Sequence, residues 1–142
     1  MKVGLASDHA GYEMKQFLIG MLEAMDHEIV DFGTSSTESV DYPDFAHPLA
    51  NAVAAKNVEV GIAICGTGNG VNMAVNRHKG VRGVLCWSIE VGRLTRQHND
   101  ANVCCLPARF ISNLEAAAIV ETFLSTSFEG GRHQKRIEKI EC

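Results

Sequence analysis

A cysteine followed by a glycine-rich segment is the part of the sequence whose residue types most directly suggest chemistry. Cys65 ends an apolar run that starts at Val58, and the next five residues are Gly66, Thr67, Gly68, Asn69 and Gly70. The run is rich in β-branched residues, which predicts a strand buried on both faces of a parallel sheet. Alternate glycines leave the loop free to adopt positive φ values and to turn its N–H groups toward one point. We therefore expect a ligand to bind to peptide nitrogens beside a thiol.

The spacing of these glycines does not match two common nucleotide-binding motifs. Val71 occupies the place where a dinucleotide fingerprint would continue, and no Lys-Ser or Lys-Thr pair follows to complete a P-loop. A nucleotide is therefore the weaker alternative, and the loop instead supplies donors for an oxyanion such as a developing enediolate. Cys65 is then a candidate base or nucleophile, whereas the residue taken alone is better explained as a buried structural thiol.

Three further candidates follow other predicted strands or end a predicted helix. The pair Asp8 and His9 follows the first strand, His98 lies in RQHNDAN at the end of the fourth helical segment, and Arg109 follows the fifth strand. We expect all of them at the carboxyl edge of the sheet, where open α/β sheets bind ligands. His98 could exchange protons near neutral pH or simply compensate a helix dipole, and Asp8 with His9 could simply cap the first helix.

A pair of arginines near the C-terminus suggests a phosphate site. Arg132 and Arg136 are four residues apart and so share one face of a short predicted helix. Guanidinium forks match phosphate oxygens, although a solvated basic face is the simpler explanation for the pair alone. With Arg109 as a third cation, the candidates together resemble a site that moves protons on a phosphorylated substrate. Isomerisation between an aldose and a ketose needs this set and no cofactor.

The composition limits the class of protein. The chain has 142 residues, 46% of them hydrophobic, and a net charge of -4, which favours one globular domain over 1–142 and argues against a nucleic-acid surface. No apolar run reaches the roughly 20 residues of a membrane span, and the start is unlike a signal sequence, so we expect a cytoplasmic protein.

Cys86, Cys104 and Cys105 are predicted to be buried and reduced. The six histidines show no zinc-site spacing, so no metal is predicted.

Strand and helix patterns alternate along the chain. The predicted strands are 2–6, 27–32, 58–65, 82–87 and 102–106, which indicates a three-layer α/β/α sandwich of Rossmann-like type with a five-stranded parallel sheet. Ser88 is predicted to cap the fourth helix, and Ser112 with Glu115 forms a capping-box pattern before the last long helix. Gly130 and Gly131 are predicted to end that helix. The segment 129–142, which carries the paired arginines, is expected to form a short helix.

Five sequence motifs identify a family. The chain resembles the family of ribose-5-phosphate isomerase B, which also includes the galactose-6-phosphate isomerase subunits. The motifs occur in that family's order and spacing, namely SDHAG at 7–11, DYPDFA at 41–46, ICGTGNG at 64–70, RQHNDAN at 96–102 and EGGRHQKR at 129–136.

The resemblance implies an enzyme of the non-oxidative pentose phosphate pathway that interconverts ribose 5-phosphate and ribulose 5-phosphate without metal or cofactor. By motif, Cys65 would be the base, His98 the acid that opens the sugar ring, and Thr67 a residue that assists proton transfer. The backbone of Gly66 to Gly70 would hold the enediolate. The substrate would be bound by Asp8, His9, Tyr42 and Asn99, and its phosphate by Arg109, Arg132 and Arg136.

The resemblance also implies a homodimer, often paired into a tetramer, with each site built from two subunits. Two alternatives stay open at this point. The chain could isomerise a hexose 6-phosphate, such as galactose or allose 6-phosphate. It could also be a binding module that holds a sugar phosphate or nucleotide without converting it.

Overall fold

The computed structural model describes all 142 residues, Met1–Cys142, as five strands and six helices. In chain order these are β1 (Lys2–Ser7), α1 (Tyr12–Ala24), β2 (Glu28–Asp31), α2 (Pro43–Ala54), β3 (Val60–Cys65), α3 (Asn69–Val75), β4 (Gly83–Leu85), α4 (Ile89–Asn99), β5 (Val103–Pro107), α5 (Asn113–Ser125) and α6 (Arg132–Ile137). None of the helices has the length and apolar character that crossing a membrane requires.

The five strands form one parallel sheet in the order β2-β1-β3-β5-β4. Helices α2 and α3 pack on one face of it, and α1 and α5 cover the other, with α4 packed beside α5. This arrangement confirms the predicted three-layer α/β fold. Because the chain moves outward in opposite directions from β1 and from β3, their carboxyl ends meet at a point where the strand order reverses.

The two faces of the sheet are packed with side chains of different size. Leu5, Ile62 and Leu106 face the cluster formed with α1 and α5, whereas Ala63 and Cys105 face the cluster formed with α2 and α3. Glycine strand residues also bring α2 close to this second face. A Cβ atom added at Gly4 would lie only 2.7 Å from the Leu49 side chain of α2. Because the strand residues facing α2 are small, this helix lies close to the sheet. Burial on both faces explains the apolar strand runs.

The N-terminal caps of α4 and α5 agree with the sequence prediction, whereas the C-terminal end of α5 does not. Ser88 Oγ accepts a hydrogen bond from Val91 N at 3.2 Å, and Ser112 Oγ accepts one from Glu115 N at 3.1 Å. The prediction that Gly130 and Gly131 end the last long helix is wrong, since α5 ends at Ser125. The two glycines instead lie in the connection to α6, with φ of 69° and 58°.

The hydroxyl residues at the end of α5 give a physical reason for its early end. Ser125 Oγ donates to Glu121 O at 2.8 Å, and Thr126 Oγ1 donates to Thr122 O at 2.6 Å. A hydroxyl thus binds Thr122 O, one of the last four helical carbonyls, in place of a further backbone N–H group. Thr126 is then free to adopt an extended conformation.

Candidate active site

The carboxyl ends of β1, β3 and β5 are held together by backbone hydrogen bonds. Asp8 N donates to Ile64 O at 3.2 Å, Ala108 N donates to Cys65 O at 2.9 Å, and Arg109 N donates to Gly66 O at 3.0 Å. We call the side chains gathered here the carboxyl-edge group; its members are Asp8, His9, Tyr42, Cys65, the loop from Gly66 to Gly70, and Arg109. The group lies at the reversal point of the strand order, where ligands of open α/β sheets bind.

The three glycines of the loop are required for different reasons. Only Gly68 has a positive φ, of 75°, and it immediately precedes α3. A Cβ atom at Gly66 would lie 3.2 Å from the Arg109 guanidinium, and one at Gly70 would lie 2.6 Å from the Tyr42 ring. The expectation that positive φ values shape the whole loop is therefore confirmed at one position, while the other two glycines allow a side chain to approach the backbone closely.

Hydrogen bonds leave defined polar atoms of this group free for a ligand. Val40 N donates to His9 Nδ1 at 3.2 Å, which assigns the ring proton to Nε2, a donor. Asp8 Oδ1 accepts from Gly11 N at 3.1 Å, so one carboxylate oxygen does bind the start of α1, as the simpler alternative predicted. Thr67 Oγ1 accepts from Asn69 N at 3.2 Å and keeps its hydroxyl proton to donate.

Cys65 is almost as buried as the other three buried thiols, but it lies in a different part of the sheet. It is 4% exposed and lies at the end of β3 against the loop, whereas Cys86, Cys104 and Cys105 are fully buried as predicted. A hydrogen bond with Cys86 and burial raise the pKa of Cys104, and burial raises the pKa of Cys105. These thiols stay protonated and inert at neutral pH.

A second set of polar residues lies at the opposite edge of the sheet. His98, Asn99, Arg132, His133 and Arg136 line a cavity of about 440 Å³, together with two isoleucines of the C-terminal segment. We call these five residues the amino-edge group. The structure thus brings the paired arginines together with His98 and Asn99, and it separates all four from Cys65 and from Arg109.

The prediction that His98 lies at the carboxyl edge is wrong. A helix that joins two parallel strands runs back along the sheet, so α4 begins near the end of β4 and ends beside the start of β5. Asp100, which follows α4, accepts hydrogen bonds from Arg82, immediately before β4. The two edges are separated by the five residues of β5, which span on the order of 16 Å.

The amino-edge group contains two positively charged arginines and a neutral histidine. The rings of His98 and His133 stack with centroids 4.4 Å apart and an interplanar angle of 14°. Burial lowers the pKa of His133, and the neighbouring His98 and Arg132 lower it further, so this imidazole is neutral at pH 7. Arg132 and Arg136 leave the cavity positive, which suits a phosphate group.

Tertiary folding also gathers three possible metal ligands that the sequence spacing did not reveal. Ligand atoms of His98, Glu129 and His133 lie within 4.8 Å of one another, and His133 Nε2 is 3.6 Å from the Glu129 carboxylate. Sequence reasoning missed Glu129 because it lies in the connection before α6. Two imidazoles and a carboxylate form a ligand set that zinc accepts. The guanidinium groups of Arg132 and Arg136 beside this set oppose a cation, so the cavity suits an anion better.

The fold and these two groups define an α/β protein with a thiol and a glycine loop at one edge of its sheet and a cationic pocket at the other. Comparison with known proteins gives the family. The model of the Ribose/Galactose Isomerase family matches residues 3–140. Ribose-5-phosphate isomerase B of Escherichia coli is 41% identical over 139 residues, covering 98% of this chain and 93% of the relative.

Two solved structures share both fold and sequence with this chain. Ribose 5-phosphate isomerase from Thermotoga maritima superposes with a TM-score of 0.97 and 46% identity, covering 99% of this chain and 97% of that chain. Ribose-5-phosphate isomerase B from Mycoplasma genitalium, with bound ribulose-5-phosphate, gives a TM-score of 0.94 and 44% identity, covering 98% and 93%. This chain belongs to the ribose/galactose isomerase family.

Proposed function

We propose that this protein interconverts ribose 5-phosphate and ribulose 5-phosphate through a cis-enediolate. The observation that carries the proposal is the position of Cys65, at the end of a central strand and against the loop from Gly66 to Gly70. A thiolate there can remove the proton from carbon 2 while loop N–H groups stabilise the enediolate oxygen. The thiol then returns that proton to carbon 1. The relative from Mycoplasma genitalium, which binds ribulose-5-phosphate, supports the choice of substrate.

The remaining members of the two groups take complementary roles in the proposed reaction. His98 opens the furanose ring, and Thr67, whose hydroxyl proton is free, assists proton transfer. Asp8, His9, Tyr42 and Asn99 bind the sugar hydroxyls. The phosphate is bound by the three arginines Arg109, Arg132 and Arg136, because guanidinium forks match its oxygens. The domain 1–142 acts as one unit, without a cofactor or metal, and its cytoplasmic location is part of the same proposal.

Two copies of the chain are needed for this reaction, because Cys65 and His98 lie at opposite edges of one sheet. We therefore include a homodimer in the proposal, in which the amino-edge group of one protomer completes the carboxyl-edge group of its partner. Large apolar side chains around the carboxyl edge are exposed, as an interface requires: Trp87 is 61% and Phe110 is 72% exposed. A pair of such dimers would form the tetramer that the resemblance implies.

A coupled assay that detects ribulose 5-phosphate formed from ribose 5-phosphate tests the proposed function. We expect rapid conversion of the pentose phosphate and little conversion of galactose 6-phosphate or allose 6-phosphate under the same conditions. Faster conversion of either hexose phosphate would assign the chain to a hexose 6-phosphate isomerase. Stabilisation against heat by ribose 5-phosphate without any product would instead indicate a binding module, and the proposal would be withdrawn.

A further inference from the structure

The residue that follows α4, Asp100, is held in an uncommon backbone conformation by two arginines. Its φ and ψ are both 45°, in the left-handed region that few residues other than glycine adopt. The Oδ2 atom accepts a hydrogen bond from Arg82 Nη2 at 3.2 Å, and Oδ1 accepts one from Arg96 Nη1 at 2.9 Å. The two arginine side chains are 22% and 18% exposed, so both ion pairs are partly shielded from water.

Arg82 also binds the carbonyl groups at the end of α4. Its Nε donates to Asn99 O at 3.0 Å and to Asp100 O at 3.1 Å, and its Nη2 donates to Asp100 O at 2.9 Å. The last carbonyls of a helix have no partner within the helix. One guanidinium therefore fixes the direction of the final turn, which carries His98 and Asn99.

Arg96 connects the same turn to the segment that leads into α6. Its Nε donates to Thr126 O, just after α5, at 3.3 Å, and its Nη1 donates to Ala101 O. Farther along this segment, Glu129 N donates to Gln97 O at 3.1 Å. The end of α4 and the start of α6 are thereby joined, and these two elements supply all five residues of the amino-edge group.

We propose that Asp100, through Arg82 and Arg96, is a positioning residue that sets the His98 imidazole relative to the phosphate-binding arginines. The three residues are placed to act through the backbone of the last turn of α4 rather than on the substrate. This inference rests on the proposed function, in which His98 opens the sugar ring. A displacement of about 1 Å at such a group is enough to reduce turnover up to about 100-fold.

The test begins with Asp100→Asn, which keeps the shape and the tolerance of left-handed backbone but removes the charge. We expect the turnover of ribose 5-phosphate to fall about tenfold. Asp26→Asn is the matched control, because Asp26 also follows a helix at the same edge with a positive φ of 64°. The Asp26 side chain makes no hydrogen bond or ion pair, so turnover is expected to change less than about twofold.

A double-mutant cycle separates positioning from a general structural role. In a His98→Asn background, ribose 5-phosphate reacts only through its small open-chain fraction, so Asp100→Asn is expected to lower the residual turnover less than about twofold further. An equal loss in both backgrounds would overturn the inference, as would normal turnover of the single Asp100→Asn variant. The unmodified protein provides the reference, since its failure to convert ribose 5-phosphate would count against the proposed function instead.

A second variant keeps the test decisive if Asp100→Asn does not fold. Arg82→Lys keeps the positive charge, but a single ammonium cannot replace the guanidinium fork that binds Asn99 O and Asp100 together. Thermal unfolding confirms that each variant is folded at the assay temperature. The same pattern is expected for Arg82→Lys: a loss of about tenfold in the native background and less than about twofold in the His98→Asn background. Additive losses would overturn the inference.

Discussion

At the scale of single residues, the proposed reaction depends most on the thiol at the end of β3. Cys65→Ala removes the base and leaves the loop donors in place, so the turnover of ribose 5-phosphate is expected to fall about 100-fold or more. The Michaelis constant is expected to change little, because the sugar and phosphate contacts of the proposal do not involve the sulfur. Steady-state kinetics of the folded variant measures both values.

Cys86→Ala is the matched control for this experiment. It removes another buried thiol, which lies just after β4 in the cluster with α1 and α5, on the face opposite Cys65. We expect a lower thermal midpoint, because a small cavity forms, and an unchanged turnover per folded molecule. Near-normal turnover of Cys65→Ala, or an equal loss in both variants, would remove Cys65 from the mechanism.

At the scale of elements, the contact between Tyr42 and α3 links helix packing to ligand binding. A methyl group at Gly70 would lie 2.6 Å from the ring of Tyr42, which is 37% exposed and can move outward. Gly70→Ala is therefore expected to change the free energy of unfolding by less than about 1 kcal/mol. Because Tyr42 is displaced from the carboxyl-edge group, the Michaelis constant for ribose 5-phosphate is expected to rise about tenfold.

Gly20→Ala tests whether this effect belongs to the contact rather than to the type of substitution. Gly20 lies in α1, and a Cβ atom there would have no neighbour within 4 Å. The substitution is expected to stabilise the protein by about 0.5 to 1 kcal/mol, since alanine is the better helix former. Kinetic constants should stay as they are in the parent protein. A raised Michaelis constant here, or none in Gly70→Ala, would contradict the role given to Tyr42.

The contact between His47 in α2 and His78, which follows α3, is expected to contribute less to stability at acidic pH. His47 Nδ1 and His78 Nε2 share a hydrogen bond of 2.7 Å, and burial, followed by the charge of His47, lowers the pKa of His78. Below the unfolded-chain value near 6.5, the unfolded state binds more protons than the folded state, so stability falls as the pH falls. The loss is complete once the pH passes below the folded-state pKa of His78.

Denaturant unfolding at several pH values between 7.5 and 5 measures this effect. His78→Gln is expected to lose less stability on acidification than the parent protein, although His133, whose pKa is also lowered, leaves part of the dependence in place. His47→Gln should give an intermediate slope, because it removes the repulsion but not the burial of His78. Identical slopes for all three proteins would show that the pair does not control acid stability.

The elements also show which features the sequence could predict. Strands and caps are local features, so the apolar runs predicted all five strands to within two residues at each end, and the hydroxyls of Ser88 and Ser112 predicted two caps correctly. The end of α5 could have been read from its Ser125 and Thr126 hydroxyls, but the two glycines gave the more familiar signal. The sequence analysis placed His98 at the wrong edge of the sheet. The predicted fold already determined the correct edge, because a helix that connects two parallel strands must return to the opposite edge.

At the scale of the whole molecule, the sequence supplied candidate site residues but not their arrangement. Motifs and residue chemistry selected Cys65, His98 and the arginines, yet nothing local indicates that one β-sheet separates them. Glu129 and His133 are four residues apart in the chain, but their approach to His98 depends on tertiary packing of the C-terminal segment against α4. The proposed reaction requires one substrate to contact both groups.

Mixing two variants with strongly reduced turnover tests this shared site. Cys65→Ala and His98→Asn damage opposite edges, so a dimer with one copy of each has one site with both changes and one site with neither. In a 1:1 mixture after random subunit exchange, about half of the dimers are mixed and each has one intact site of two, so about a quarter of the native turnover is expected to return. Mixing either variant with itself provides the control. If each site were formed within one chain, every site in the mixture would stay damaged, and turnover would remain at the level of the separate variants.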